Sequence, residues 1–211
     1  MKLTVLLSIL VFVFLQWLNR KPPVFDYHVI HLSHRTDRMN HVREMERRIG
    51  HTLNIFRASG PSVLEGFKPG EVGCYHSHMR ILDEPKDTTY SVIFEDDFVV
   101  QSGFHSKVEK IIEDAGDFDI MYLGNLDGNH AEHVNGDVYK VNTEKYLTGM
   151  HGYVVKNENT WKITSKLKYK KAIDLELPDL IKSGDVNGLV VWPSIVSQHS
   201  GLKSSIRVPG S

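Results

Sequence analysis

Glu95, Asp96 and Asp97 are three adjacent carboxylates in the run SVIFEDDFVV, directly after the apolar stretch 92–94. Carboxylates this close repel one another and resist desolvation, so beside a buried strand they call for a cation. Hard oxygen ligands select Mg²⁺ or Mn²⁺. Such an ion can bridge two phosphates and neutralise charge on a departing diphosphate. Side chains alternate along an extended chain, which sends Glu95 and Asp97 to one side and Asp96 to the other. By itself the triplet fits equally well a polar turn with an acidic cap for a helix starting near Gly103.

Other residues carry chemistry of weaker signature. Arg35, Asp37 and Arg38 follow the first apolar run; their guanidinium groups suit phosphate oxygens, although charges there also fit a first helical turn. In 69–82 (PGEVGCYHSHMRIL), glycines permit close backbone approach and a helix amino end attracts phosphate, with Glu71 in its first turn and Ser77 and His78 further in. His76 and His78 are two apart, face different ways on a helix and cannot chelate one metal together. Cys74, the only cysteine, excludes an internal disulfide and a cysteine cluster for zinc, and reads as a small packed residue. The lysine run 166–171 (KLKYKK) reads as a solvated basic face.

These residues need elements to position them. A strand is expected at 27–32, then an amphipathic helix over 35–49 with Met39, Val42, Met45 and Ile49 on one face and Gly50 as its stop. Further strands are expected at 53–57, 91–94, 119–123, 138–141, 152–155 and 190–192, and helices at 71–82, 104–115, 161–168 and 172–182. A loop covers 58–70, and the strands at 138–141 and 152–155 lie around a Gly/Asn/His-rich loop. Alternating strands and helices predict an α/β domain around a mostly parallel sheet, with ligands beyond the carboxyl ends of the strands.

The chain has 211 residues, with 25 Lys plus Arg against 26 Asp plus Glu, so it suits one domain and offers no field for nucleic acid. Residues 3–18 (LTVLLSILVFVFLQWL) are almost wholly apolar. They reach roughly 24 Å as a helix, short of a roughly 30 Å hydrocarbon core, so a signal peptide and an uncleaved anchor both fit. The absence of a small-x-small cleavage site favours the anchor. The expected division is therefore 1–21 signal anchor or signal peptide, 22–26 linker and 27–208 folded domain, held at a membrane with the domain in the secretory lumen or on the cytoplasmic face.

Five blocks lie in order along the body: VIHLSHRTDR (29–38), PGEVGCYHSHMRIL (69–82), VIFEDD (92–97), DIMYLG (119–124) with GMHGYVV (149–155), and AIDLEL (172–177) with PSIVSQ (193–198). Together they resemble glycosyltransferase family 25, which includes lipooligosaccharide glycosyltransferases and procollagen galactosyltransferases. The resemblance implies a GT-A-like fold, a UDP-sugar donor carrying galactose, Mn²⁺ or Mg²⁺, and an inverting transfer to a hydroxyl of a glycan, glycolipid or protein. It implies that Glu95 meets the donor ribose and Asp97 the metal, with Asp96 in support. It turns Arg35, Asp37, Arg38, Glu71, Ser77, His78 and Gln198 towards donor binding. It also offers Asp174, ahead of a helix, as the base for the acceptor hydroxyl, with a helix cap as the other reading. His31, His34 and His151 depart from the family pattern. Two rival readings stay open: a membrane-tethered relative that binds without catalysis, and a metal-dependent phosphoesterase.

Overall fold

The structure is a computed structural model that describes residues 22–202 except 127, 129 and 146. The apolar segment 3–18 and the end of the expected domain, 203–208, lie outside the described residues. Among those described, no helix is long and apolar enough to cross a membrane.

The elements run in the order β1 (Phe25–His31), α1 (Thr36–Ile49), β2 (Asn54–Arg57), α2 (Pro69–Asp83), β3 (Tyr90–Glu95), β4 (Phe98–Val99), α3 (Phe104–Ala115) and β5 (Ile120–Gly124). There follow β6 (His130–Asn135), β7 (Val138–Val141), β8 (Gly152–Lys156), α4 (Thr160–Thr164), α5 (Ile173–Lys182), β9 (Gly188–Val191) and β10 (Ser197–Gln198). An eight-stranded sheet has the order β2-β1-β3-β8-β5-β9-β7-β6, and β4 pairs with β10 in a separate two-stranded ribbon. Strands β2, β1, β3, β5, β9 and β6 share one direction, and β8 and β7 run against it. The sheet is thus mostly parallel, as expected of an α/β chain.

Alternation along β3 explains the two cores. Val92 and Phe94 join the cluster under α1 and α3, with Val42, Met45, Val108 and Ile111. Ile93 faces the other way, into the cluster under α2, α4 and α5, with Tyr75, Ile81, Ile163 and Leu177. Both faces of β3 are covered, so each of these side chains contributes about 1.5–3 kcal/mol by leaving water. Helix α1 keeps the expected apolar spacing and ends at Gly50, whose φ of 78° lies in the left-handed region that glycine enters at little cost.

Three boundaries depart from expectation for physical reasons. Strand β1 starts at Phe25, because Phe25 and Asp26 pair with Tyr90 and Ser91, and the linker therefore shortens. The expected helix at 161–168 stops at Thr164, and the lysine run is held in a loop by hydrogen bonds described below. Strand β6 is not among the expected strands; it forms by pairing with β7 rather than by any apolar alternation of its own.

Candidate functional site

Strand β3 delivers Glu95 at its carboxyl end, and the chain then turns through Asp96 and Asp97 into β4. The three acids do not form one extended run, so the alternation expected beyond Glu95 does not hold. Instead, Asp96 and Asp97 both meet Arg38, from the first turns of α1. Arg38 Nη1 donates to Asp96 Oδ1 and lies 3.2 Å from Asp97 Oδ2. All three side chains are nearly fully buried.

Neighbouring strands complete the arrangement. Parallel pairing of β1 with β3 brings His31, at the end of β1, beside the turn, where its Nδ1 lies 2.8 Å from Asp96 Oδ2. Pairing of β10 with β4 sets Gln198 opposite Phe98, and Gln198 Nε2 donates to Asp97 Oδ2 at 3.2 Å. The His199 N–H donates to the Asp97 carbonyl at 2.7 Å. Asp97 Oδ1 is buried and has no hydrogen bond among the described residues.

The charges divide accordingly. Burial, and then the Glu95 charge, push the Asp97 carboxyl up to about 6, against the opposing pull of Arg38. Burial also resists ionisation of Glu95, but the nearby His78, whose Nε2 lies 3.6 Å from Glu95 Oε1, and the charges of His151 and Arg38 outweigh it and hold that carboxyl below the usual range. Two neighbouring acids thus have environments that push their proton affinities apart, a pattern found at working sites.

A cavity of about 250 Å³ opens beyond these strand ends. Its wall includes His34, Arg38, Ser77, His78, the three acids and Gln198. Ser77 Oγ, from α2, donates to Gly73 O at 2.7 Å and accepts from Ser59 N–H at 2.8 Å, which fixes the loop over the cavity. His78 is fully buried, with Nδ1 2.9 Å from Tyr153 Oη.

Four residues expected at the site, Arg35, Asp37 and Glu71 for the donor and Asp174 as base, stand outside that wall. Arg35 forms a two-pronged pair with Asp37, at 2.9 and 2.7 Å, which leaves that guanidinium engaged at the surface and holds the Asp37 carboxyl low. Glu71 accepts the Lys68 N–H at 3.0 Å and so caps α2. Asp174 lies in the first turn of α5, whose cap position is Ala172, so the helix-cap reading of Asp174 does not hold. Burial and the Glu95 charge raise its carboxyl, against backbone hydrogen bonds at Asp174 and Gly149. Asp174 therefore shares the electrostatic environment of Glu95 without lining the cavity.

Sequence reasoning singled out His31 and His151 as departures from the family pattern without fixing a role for either. The first is fixed by strand pairing; the second is buried near Glu95, and burial lowers its proton affinity. Their side-chain type was visible, but no local spacing linked either one to residues some sixty positions away.

Comparison with known proteins gives the chain its place. The sequence profile of glycosyltransferase family 25 (LPS biosynthesis protein) matches residues 64–176, more than half of the chain. The probable inactive glycosyltransferase 25 family member 3 of Rattus norvegicus is 30% identical in an alignment of 135 residues that covers 56% of this chain and 22% of that protein. The inactive glycosyltransferase 25 family member 3 of Homo sapiens is 29% identical in an alignment of 105 residues that covers 47% of this chain and 16% of that protein. The chain thus spans about a fifth of the length of the curated relatives it matches. Among solved structures, a glycosyltransferase involved in glycosylation of the major capsid of PBCV-1 superimposes with a TM-score of 0.49 at 11% identity, covering 86% of this chain and 95% of its own. The galactosyltransferase LgtC, in complex with donor and acceptor sugar analogues, gives 0.47 at 11%, covering 83% and 87%. By the profile match over most of its sheet and helix α2, the chain belongs to glycosyltransferase family 25.

Proposed function

We propose that this domain transfers a hexose, galactose, from a UDP-sugar to a hydroxyl on a glycan, glycolipid or protein, with inversion at the anomeric carbon and on a GT-A-type framework. The observation that supports this reading is the acidic turn in the cavity wall, where Asp97 Oδ1 is buried with no hydrogen bond among the described residues. A buried carboxylate oxygen left unpaired in a carboxyl whose proton affinity is itself raised fits a hard divalent cation, which would satisfy the oxygen and offset the charge. Asp97, assisted by Glu95, would hold Mn²⁺ or Mg²⁺. When bound, that ion supplies neutralising charge for the departing diphosphate.

The protein's own groups divide the remaining work. Arg38 keeps Asp96 and Asp97 in place and adds positive charge to the cavity wall, where phosphate oxygens would lie. Gln198 fixes Asp97 from the opposite side. Glu95, held as a carboxylate, accepts hydrogen bonds from the donor ribose. Asp174, raised by burial, takes the proton of the acceptor hydroxyl as that oxygen attacks the anomeric carbon. The apolar segment 3–18 would tether the domain to a membrane near its acceptor.

A second reading, binding without transfer, is favoured by two observations. Arg38 already pairs with two of the three acids, and the curated relatives named above are called inactive. The test is a screen of nucleotide sugars with and without Mn²⁺, reading thermal shift and donor hydrolysis. Mn²⁺-dependent turnover of one UDP-hexose that disappears in Asp97→Ala supports transfer. Unchanged turnover in that variant removes the metal assignment, and stabilisation by a UDP-sugar without turnover selects the second reading.

A further inference from the structure

Helix α2 carries Cys74 and His78 four residues apart, hence on one face, and Glu95 reaches that face from the end of β3. Cys74 Sγ lies 4.0 Å from Glu95 Oε1, and His78 Nε2 lies 3.6 Å from the same oxygen. One donor atom from each residue falls within 4.8 Å of the other two. His78 is wholly buried, its Nε2 has no hydrogen bond among the described residues, and its Nδ1 is held at 2.9 Å by Tyr153 Oη. When Nδ1–H donates to Tyr153, the Nε2 lone pair faces Cys74 and Glu95. Fixing one ring nitrogen through an outer hydrogen bond is how proteins orient a ligating histidine.

We propose that Cys74, His78 and Glu95 form a Zn²⁺ site in the cavity wall, with three protein ligands and a fourth position open to the cavity. With metal–ligand bonds of about 2.0–2.3 Å in a tetrahedron, neighbouring donors stand roughly 3.3–3.6 Å apart. The two separations to Glu95, 3.6 and 4.0 Å, come within a few tenths of an ångström of these values, and the third side of the triangle stays within 4.8 Å. A thiolate, an imidazole and a carboxylate form a mixed soft and hard set that suits Zn²⁺ better than Mn²⁺ or Mg²⁺. On binding, Cys74 releases its thiol proton to water and forms a Zn–S bond, with no change of oxidation state. Because Glu95 also serves the donor in the function proposed above, Zn²⁺ here would compete with the UDP-sugar; that consequence rests on that reading, whereas the binding does not.

The experiment titrates the full chain with Co²⁺, a spectroscopic substitute for Zn²⁺, in the absence of any sugar nucleotide. A thiolate-to-cobalt charge-transfer band should form, vanish when Zn²⁺ is added, be absent in Cys74→Ser, and need about tenfold more metal in Tyr153→Phe. No band in the wild-type protein, or the same band in Cys74→Ser, overturns the site. Should Cys74→Ser fail to fold, alkylation of Cys74 in the native wild-type protein decides. Zn²⁺ should slow it about tenfold or more, and equal rates with and without Zn²⁺ overturn the proposal. Donor hydrolysis plays no part in either measurement, so this site and the transferase reading can fail separately.

Discussion

Arg38 Nη1 lies 3.2 Å from Asp97 Oδ2 while also donating to Asp96, so one guanidinium nitrogen from α1 serves both carboxylates of the turn after β3. Replacing it by glutamine leaves two nearly buried carboxylates with His31 and Gln198 as their remaining side-chain partners among the described residues. Removing one member of a buried ion network typically costs about 3–5 kcal/mol. Arg38→Gln should lose stability of that order in urea unfolding, and Arg38→Lys less. A midpoint unchanged by Arg38→Gln would show that the turn is held without the ion pair.

Asp97 predicts a pH dependence in metal-free protein. Its carboxyl is raised from 3.8 to about 6 in the fold, with burial the largest cause, so between these values the native state binds more protons than the unfolded one. Stability therefore falls as pH rises through that window and levels off above it, by up to about 3 kcal/mol. Asp97→Asn should flatten this segment of the profile. Mn²⁺ should stabilise the wild-type protein more at pH 7.5 than at pH 5, since it competes with the proton for the same oxygens. Thermal unfolding across pH, with and without Mn²⁺, measures both effects.

These dependences show what the sequence could and could not convey. The runs at 92–94 and 119–123, and the spacing of Met39, Val42, Met45 and Ile49, marked strands and a helix because each buries an apolar face set by local period. The acidic triplet was legible as chemistry, but its geometry was not, because a turn rather than a strand carries Asp96 and Asp97. His31 and Gln198 reach that turn through β1–β3 and β4–β10 pairing, which joins residues distant in the chain. Cys74 read as a packed residue for the same reason: its neighbour Glu95 arrives from another element.

Gly73 tests how the loop over the cavity is seated. A Cβ there would stand 2.8 Å from the backbone oxygens of both Ser59 and Gly60, atoms that cannot swing aside as a side chain can. Gly73→Ala should push the 58–60 segment away from α2 and strain the Ser77–Ser59 hydrogen bond, at a cost of about 1–3 kcal/mol. The wall beside Cys74 and His78 would widen, so thermal stabilisation by a UDP-sugar should weaken more than global stability does. Equal affinity in Gly73→Ala and wild type would place the ligand away from this wall.

Glu176 gives the clearest separation of donor binding from proton transfer. Its buried carboxylate accepts hydrogen bonds from Tyr75 Oη at 2.7 Å, Lys168 N–H at 2.7 Å and Lys170 N–H at 3.1 Å. Between those two amides sits Tyr169, whose φ of 56° is costly for a residue with a side chain and persists only where its surroundings fix it. Tyr169 also stacks on Tyr75 at 3.9 Å. The lysine run is therefore a strap tied to α5, two residues along from Asp174. Glu176→Ala would leave three donors without their acceptor and free the strap, costing about 3 kcal/mol in urea unfolding. Glu176→Gln, which keeps one carbonyl oxygen, should cost less. Because the acidic turn lies on other elements, the folded Gln variant should keep the Mn²⁺-dependent thermal shift with donor while transfer to an acceptor falls. If shift and transfer decline together, Glu176 supports the whole domain rather than the placement of Asp174.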